Sequence, residues 1–321
     1  MTIALDENKV AIVIAVFNDE ANIERAIRSA AAQTLPSGFS LEVVIVDDCS
    51  TDDTARVARA VCAEFDCASF IQAPQNGGPS KARNIALGHT DAEWYLPLDS
   101  DDIMDPERVS KLIQIAKDQG ADIVADNLLI TQADTPLEVD RVLWLEKPEG
   151  IVPIGAAYFV EHSYDMPRER SELGFLKPLI SRKRLEIPEA PYQPELRFAE
   201  DYELYTRLLL DGASAVLVDP CGYYFIQRPH SSSRSQAGDE HKKVAMIDQT
   251  FLSRKDLSKS ERKAISGHLA YSRKEWGIWT LLDGARERDL GKIVSSFFIS
   301  RATLGFAVRT IANKLNSSRT R

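Results

Sequence analysis

Short apolar runs alternate with longer segments of helical spacing over the first 130 residues. Four runs are apolar, partly β-branched and of the length of buried strands: 10–16, 41–46, 69–72 and 94–98. Between them, apolar side chains recur three and four residues apart, as on the buried face of a helix. This alternation is typical of stacked βαβ units, and it predicts an α/β fold around a mostly parallel sheet.

The sequence also predicts where the helices begin and which apolar residues they contain. Asn18 follows the first strand and is predicted to cap the next helix. The spacing places one apolar face on the first helix, made of Ile23, Ala26, Ile27 and Ala30. The second helix is predicted to carry Val57, Ala60 and Val61. Further on, residues 196–210 have helical spacing up to a stop at Gly212, and residues 214–218 and 223–226 have the pattern of strands.

Polar or glycine-rich residues follow each of the four predicted strands. They are Asn18 and Glu20, then Asp47 and Asp48, then Gly77, Gly78 and Arg83, then Asp99, Ser100, Asp101 and Asp102. Ligands of open parallel sheets bind at the carboxyl ends of the strands. Aspartate can accept hydrogen bonds from a base or ribose, and arginine can donate to a phosphate. The set predicts a nucleotide site, although the glycine pair alone more often marks a plain turn.

The carboxylates of residues 99–102 also suggest an oxygen-rich cation site. Mg²⁺ and Mn²⁺ take carboxylate oxygens, keep positions open for substrate phosphates and neutralise a departing diphosphate. The alternative is a turn that caps the next helix, because aspartate favours turns and N-caps.

Composition limits the class of protein. The 321 residues, 44% of them hydrophobic and 27% charged, suffice for a globular protein of one large domain or two small ones. A net charge of −9 argues against a general nucleic-acid binder. The four cysteines have no zinc-ligand spacing, and neither a signal-peptide core nor an apolar run of membrane-spanning length occurs, so we expect a cytoplasmic protein.

Four sequence blocks, taken together, resemble the nucleotide-binding half of family 2 glycosyltransferases. The blocks are residues 15–20, 46–54, 76–84 and 98–102, and the resemblance covers roughly residues 9 to 130. In the first block, Ala15 and Phe17 replace the family's usual proline and tyrosine. We expect that difference to alter packing more than chemistry.

The resemblance implies a GT-A fold with a Rossmann-like, mostly parallel sheet and a helical C-terminal extension. It also implies a nucleotide-diphosphate sugar donor, for which a UDP-sugar is the best guess, and Mn²⁺ or Mg²⁺ bound through a DxD motif. We divide the chain into a donor-binding part (1–130), a part for the acceptor and the catalytic base (131–257) and the extension (258–321).

Site residues follow from the same resemblance. Asp48 would contact the nucleotide base, and Arg83 would help to fix that base. Asp99 would face the ribose and sugar, and Asp101 would bind the metal. The other donor-binding positions are Ala15, Phe17, Asn18, Glu20, Gly78 and Ser100. Asp47 and Asp102 are equally suited to be direct ligands and to be supporting or capping carboxylates.

The second half is expected to supply the base and the acceptor pocket. Glu200 and Asp201 begin a predicted helix, where carboxylates usually cap or complement the helix dipole. The resemblance instead implies Asp201 as catalytic base, with Glu200 as the fallback. It also implies that His230 completes the metal site or contacts the diphosphate, whereas the Ser-rich segment around it is alternatively plain surface. Residues 174–182 are expected to shape acceptor specificity.

The C-terminal segment differs from the acidic body. Residues 264–282 have helical spacing, and residues 286–321 carry eight Lys or Arg against two acidic residues, interleaved with apolar positions. This pattern favours an amphipathic helix pair on anionic lipid. The alternatives are packing against the catalytic domain and a homodimer contact.

The function we predict is inverting, metal-dependent transfer of a hexose. Glucose from UDP-glucose is the first choice of donor, and a surface polysaccharide or lipid-linked oligosaccharide is the acceptor. Galactosyl or N-acetylglucosaminyl transfer on the same fold is an alternative. A catalytically idle scaffold in a polysaccharide assembly complex is a second.

Overall fold

The computed structural model describes residues 4–164, 173–185, 187, 190–228, 238–307 and 309. The chain forms two compact units, Met1–Pro229 and His230–Arg321. The three-part division proposed from the sequence stays a prediction.

The first unit contains twelve strands and six α-helices among its described residues. The strands are β1 (Asp6–Val16), β2 (Ser40–Asp47), β3 (Ala68–Gln72), β4 (Ala92–Pro97), β5 (Ile103–Met104), β6 (Ile123–Asp126), β7 (Leu129–Gln132), β8 (Arg141–Val142), β9 (Val152–Pro153), β10 (Leu179–Ser181), β11 (Ala215–Val218) and β12 (Tyr223–Gln227). The helices are α1 (Ile23–Ala31), α2 (Thr54–Cys62), α3 (Pro79–Gly88), α4 (Arg108–Gln119), α5 (Ala156–Glu161) and α6 (Glu200–Leu210), with a 3₁₀ turn at Leu173–Phe175.

The main sheet is mostly parallel, as predicted. Its strand order is β3-β2-β1-β4-β10-β6-β11-β9. Strands β1 to β4 pair in parallel, β11 pairs in parallel with β6, and β10 runs antiparallel to both β4 and β6. All six residues of β4 are buried, so the polar segment after it emerges from the middle of the core. A second sheet has the order β5-β12-β7-β8.

The first helix buries the face that its spacing predicts, because Ile23, Ala26, Ile27 and Ala30 are all buried. The prediction that Asn18 caps this helix is wrong. Helix α1 begins after Asn22, and the side chain of Asn18 accepts a hydrogen bond from the Thr51 amide at 2.7 Å. The side chain of Asn18 therefore bonds to the loop after β2 and not to the first turn of the helix.

Helix α2 carries Val57, Ala60 and Val61, as predicted, but only one of them is buried. Val61 is buried, but Val57 is half-buried and Ala60 is exposed, whereas Thr54 and Ala58 lie in the core. The reason is a polar contact. The Thr54 hydroxyl accepts a hydrogen bond from the Asp19 amide at 2.7 Å, and this contact turns the first residue of the helix inward.

A buried arginine supports the centre of the unit. Arg108 at the start of α4 is fully buried, and its guanidinium donates to Asp126 on β6 at 2.6 Å and to the Lys177 carbonyl at 2.6 Å. Because a buried charge requires such partners, Arg108 fixes the backbone of the loop that precedes β10.

The described part of the second unit is helical. Its helices are α7 (Gly238–Leu252), α8 (Lys259–Glu287) and α9 (Leu290–Ile299). Ser258 and Glu261 form a capping box at the start of α8, which includes the helical segment predicted at 264–282. Across the described ranges of the chain, helices that combine the length and the apolar character needed to span a bilayer are absent.

Candidate active site

A cluster of buried charges joins the end of β4 to the start of α6. The guanidinium of Arg83, on α3, donates to Glu200 at 2.6 Å, to Asp99 at 3.0 Å and to Asp201 at 3.3 Å. The ammonium of Lys177 lies 2.8 Å from Asp201 and 3.0 Å from Asp99. Three carboxylates and two cations therefore share one site, which we call the charge cluster.

The charges of the cluster interact strongly because they are buried. The side chains of Arg83 and Lys177 are 6% and 4% exposed. Although burial opposes it, the two cations hold the pKa of Asp99 below its usual range. Burial and the neighbouring Asp201 raise the pKa of Glu200, against the opposing effect of Arg83. Asp99 is thus held as a carboxylate, while Glu200 binds a proton more readily than an exposed glutamate does.

Glu200 and Asp201 do not serve as caps of α6. The N-cap residue is Ala199, which has a φ of 60° and makes no side-chain capping bond. Both carboxylates instead turn toward Arg83. Their position in the first turn still favours negative charge through the helix dipole.

A second group of charges surrounds Asp101. One guanidinium nitrogen of Arg228, the first residue after β12, donates to Asp101, and the other donates to Asp19 at 3.0 Å. The Ser100 hydroxyl donates to the second oxygen of Asp19 at 2.7 Å. Burial, Asp99 and Asp19 raise the pKa of Asp101, and Arg228 opposes them.

Asp102 makes the hydrogen bonds that join this turn to β12. It is fully buried, and its two oxygens accept hydrogen bonds from the Tyr223 hydroxyl and the Ile226 amide, both at 2.8 Å. The Tyr223 hydroxyl also accepts a bond from the Asp99 amide at 3.2 Å. These contacts fasten β12 to the turn and place Arg228 beside Asp101.

Asp19 and Asp101 fit a divalent cation. They are two partly buried carboxylates that already share one positive group, and Mg²⁺ sites typically combine one or two carboxylates with substrate phosphates and water. Within the described ranges, three or more His, Cys, Asp or Glu side chains do not converge as a ready-made metal cage. His230, the other predicted ligand, lies outside the described residues.

Asp48 holds the glycine turn after β3. Its two carboxylate oxygens accept the Gly77 and Gly78 amides, each at 2.7 Å. Gly78 has a φ of +86°, and a Cβ there would approach the side chain of Arg197 to 2.8 Å. Arg197 in turn donates to Asn76 at 2.9 Å. The turn therefore requires glycine at position 78 and brings residues of the second half of the chain to this edge of the sheet.

The remaining predicted donor-binding residues line the end of β1. Glu20 accepts the Asp53 amide at 2.8 Å, in parallel with the Asn18–Thr51 bond, and the two contacts join the ends of β1 and β2. Ala15 is half-buried in β1, and the ring of Phe17 is 48% exposed beyond it.

Three of the charged residues that meet here are not among the predicted site residues. Lys177 lies in the segment expected to contact acceptor, but nothing local marks its ammonium as a partner of Asp99 and Asp201. Arg228 lies two positions after the strand predicted at 223–226 and directly after β12, where the rule that ligands gather at strand ends also applies. Asp19 stands between the two predicted residues Asn18 and Glu20.

Solved structures of two other proteins share this architecture. Staphylococcus aureus TarS 1-349, in complex with UDP-GlcNAc, superposes with a TM-score of 0.63 at 19% identity and covers 90% of each chain. The mannosyltransferase PcManGT from Pyrobaculum calidifontis, in complex with GDP-Man and Mn²⁺, superposes with a TM-score of 0.58 at 14% identity, covering 97% of this chain and 81% of that one. The fold is thus the GT-A fold, with a helical C-terminal part.

Sequence similarity defines the family. The profile described as Glycosyl transferase family 2 matches residues 11–159. Succinoglycan biosynthesis protein ExoU of Rhizobium meliloti (strain 1021) is 32% identical over 288 residues, which span 88% of this chain and 81% of that protein. The protein is a glycosyltransferase of the GT-A fold. It belongs to glycosyl transferase family 2.

Proposed function

We propose that this glycosyltransferase is an inverting, metal-dependent enzyme that transfers a hexose from a UDP-sugar, with UDP-glucose as the first choice of donor. The observation that carries the proposal is the bridge made by Lys177, whose ammonium lies 3.0 Å from Asp99 and 2.8 Å from Asp201. Lys177 therefore links Asp99, which follows β4, to Asp201, which we propose as the catalytic base.

In the reaction we propose, Asp201 accepts the proton of the acceptor hydroxyl. The hydroxyl oxygen forms a bond to the anomeric carbon as the bond to the nucleoside diphosphate breaks on the opposite face. A single displacement inverts the configuration, so an α-linked donor gives a β-linked product. Arg83 and Lys177 hold Asp201 toward Asp99, and Glu200 is the fallback base.

The donor would lie along the carboxyl ends of β1 to β4. We propose that Asp48 contacts the nucleotide base. Each of its carboxylate oxygens accepts one glycine amide and keeps a further lone pair for a ligand. Asp99 would face the ribose and sugar. Arg83, which also bonds to Asp99, would help to fix the nucleotide base. The donor site would also be lined by six further residues: Ala15, Phe17, Asn18, Glu20, Gly78 and Ser100.

Asp101 and Asp19 are the residues we assign to the cation, together with His230. A bound Mn²⁺ or Mg²⁺ supplies electrostatic stabilisation of the departing diphosphate. Burial, and after it the nearby carboxylates of Asp99 and Asp19, raise the pKa of Asp101. The closeness of these carboxylates supports the assignment, because a positive ion would offset their mutual repulsion. PcManGT, described in complex with GDP-Man and Mn²⁺, provides a precedent on the same fold.

The acceptor we propose is a growing surface polysaccharide or a lipid-linked oligosaccharide. ExoU, a succinoglycan biosynthesis protein, supports a polysaccharide acceptor. UDP-GlcNAc bound to S. aureus TarS favours N-acetylglucosamine as the second candidate sugar. Galactose on the same scaffold and a catalytically idle scaffold are the remaining alternatives.

Donor binding is the first test. UDP-, GDP-, dTDP- and CMP-sugars are titrated calorimetrically, each with and without Mn²⁺, and thermal unfolding is followed in parallel. We expect one UDP-sugar to bind with Mn²⁺ and to stabilise the protein by about 2.7 kcal/mol at a hundred times its Kd. Binding of a GDP-sugar alone would contradict the assignment of the donor. A folded protein that binds none of them would favour the idle scaffold.

We further propose that the protein works at the inner face of the cytoplasmic membrane, bound peripherally through its C-terminal helices. Leu290, Val294 and Phe298 recur every four residues on α9 and are 75%, 55% and 86% exposed. The basic excess of residues 286–321 complements an anionic lipid surface.

Sedimentation with lipid vesicles tests the membrane proposal. The wild type should pellet with phosphatidylglycerol vesicles, and the double variant Val294→Ser, Phe298→Ser should bind at least about tenfold more weakly, because each side chain buries apolar area. Met246→Ser on α7 is the matched control, since Met246 is also 55% exposed. Equal binding of the wild type and the double variant would contradict the proposal.

A further inference from the structure

Arg228 occupies the position that a positive ion would take between two carboxylates. Its guanidinium lies 3.0 Å from Asp19 with one nitrogen and contacts Asp101 with the other. The side chains of Asp19 and Asp101 are 6% and 21% exposed, and that of Arg228 is 32% exposed. Arg228 is therefore the most exposed of the three side chains.

The backbone of Arg228 is held, but its side chain is only partly satisfied. Strand β12 is fastened to the aspartate turn through Ile226 and Tyr223, which both bond to Asp102. By contrast, the Nε of Arg228 is buried without a hydrogen-bond partner among the described residues. A long side chain on a fixed strand end can therefore leave the carboxylates without disturbing the sheet.

The two carboxylates after β4 differ in how firmly they are neutralised. Asp99 bonds to two buried cations, Arg83 and Lys177. Asp101 bonds through its side chain to Arg228 alone among the described residues and lies near the negative charges of Asp99 and Asp19. A divalent ion carries twice the charge of a guanidinium and needs the same oxygens.

We propose that Arg228 is an internal cation that competes with the divalent ion for Asp101 and Asp19. It occupies both carboxylates in the donor-free enzyme and leaves them when ion and donor bind together. The released guanidinium then pairs with the donor diphosphate, whose oxygens suit its forked donors. This exchange rests on the proposed function, and it predicts that the ion binds weakly without the nucleotide.

Mn²⁺ binding to the free enzyme, followed by the electron paramagnetic resonance signal of unbound Mn²⁺, tests the exchange. Without nucleotide, Arg228→Gln should bind Mn²⁺ about three- to tenfold more tightly than the wild type, because no guanidinium competes. Arg228→Lys keeps the charge and should stay close to the wild type. Arg56→Gln removes one exposed cation that pairs with Asp53, and it controls for net charge.

UDP supplies the second comparison. Adding it should tighten Mn²⁺ binding more in the wild type than in Arg228→Gln, since only the wild type has a guanidinium to give to the diphosphate. Equal Mn²⁺ affinity of the wild type and Arg228→Gln, or weaker binding by the variant, would overturn the exchange and leave the donor site intact. If neither protein binds Mn²⁺ even with UDP, both the exchange and the proposed metal dependence are wrong.

Discussion

Asp201→Asn is expected to lower kcat by about 10²- to 10⁴-fold and to leave the affinity for the donor nearly unchanged. The loss corresponds to removal of a general base from the transfer step. The variant should fold, because the charge cluster then holds two cations, Arg83 and Lys177, against the two carboxylates of Asp99 and Glu200. Steady-state rates with a confirmed donor, and calorimetric UDP binding, give the two readouts.

Glu200→Gln is the matched control for this prediction. It removes the same charge from the same helical turn and leaves the contact between Lys177 and Asp201 in place. We expect its kcat to fall less than about tenfold. A larger loss in Glu200→Gln than in Asp201→Asn would transfer the role of base to Glu200, whose raised pKa makes it a chemically reasonable proton acceptor.

Lys177→Met is expected to affect both stability and catalysis. The substitution leaves Asp99 and Asp201 with Arg83 as their shared cation. Removing one partner of a buried ion pair lowers the free energy of unfolding by about 3–5 kcal/mol, because the other charge stays buried. Arg83 and Lys177 together hold the pKa of Asp99 low, so removing one of them should raise it. The acid limb of the rate profile should therefore move to higher pH.

The sign of the pH effect on stability follows from the same contact. A depressed pKa in the folded state means that Asp99 stabilises the protein above its unfolded pKa of about 3.9 and loses that contribution as the pH falls through the folded value. In Lys177→Met this acid-sensitive contribution should shrink. Urea unfolding at pH 7 and at a series of lower pH values measures it.

Lys147→Met is the control for the loss of a buried lysine. The Lys147 side chain is 2% exposed, but its partner Asp219 is 58% exposed and stays hydrated when the lysine is removed. We expect a smaller loss of unfolding free energy and an unchanged kcat. Lys177→Arg should recover part of the activity. An unfolding free energy and an acid limb like those of the wild type in Lys177→Met would contradict the role of Lys177.

Much of the donor half could be predicted from local pattern. Strands occur at all four predicted positions. In β1, β2 and β4 the reason is that a buried parallel strand must be a short apolar run. The strand at 69–72 has only half-buried and exposed residues. The departures from the predicted pattern come from local polar contacts. Asn18 bonds to the loop after β2 instead of capping α1, and Thr54 turns inward because its hydroxyl binds the Asp19 amide.

By itself, the sequence determined the alternation of strands and helices, the buried face of α1 and the gathering of polar residues at the strand ends. Each of these depends on neighbours within a few residues. Only the tertiary structure decided which cation meets which carboxylate. Lys177 reaches Asp201 from 24 positions away, and Arg228 reaches Asp101 from 127 positions away. Such pairs are selected by strand order and by the cost of burying an unpaired charge, and neither leaves a periodic signal along the chain.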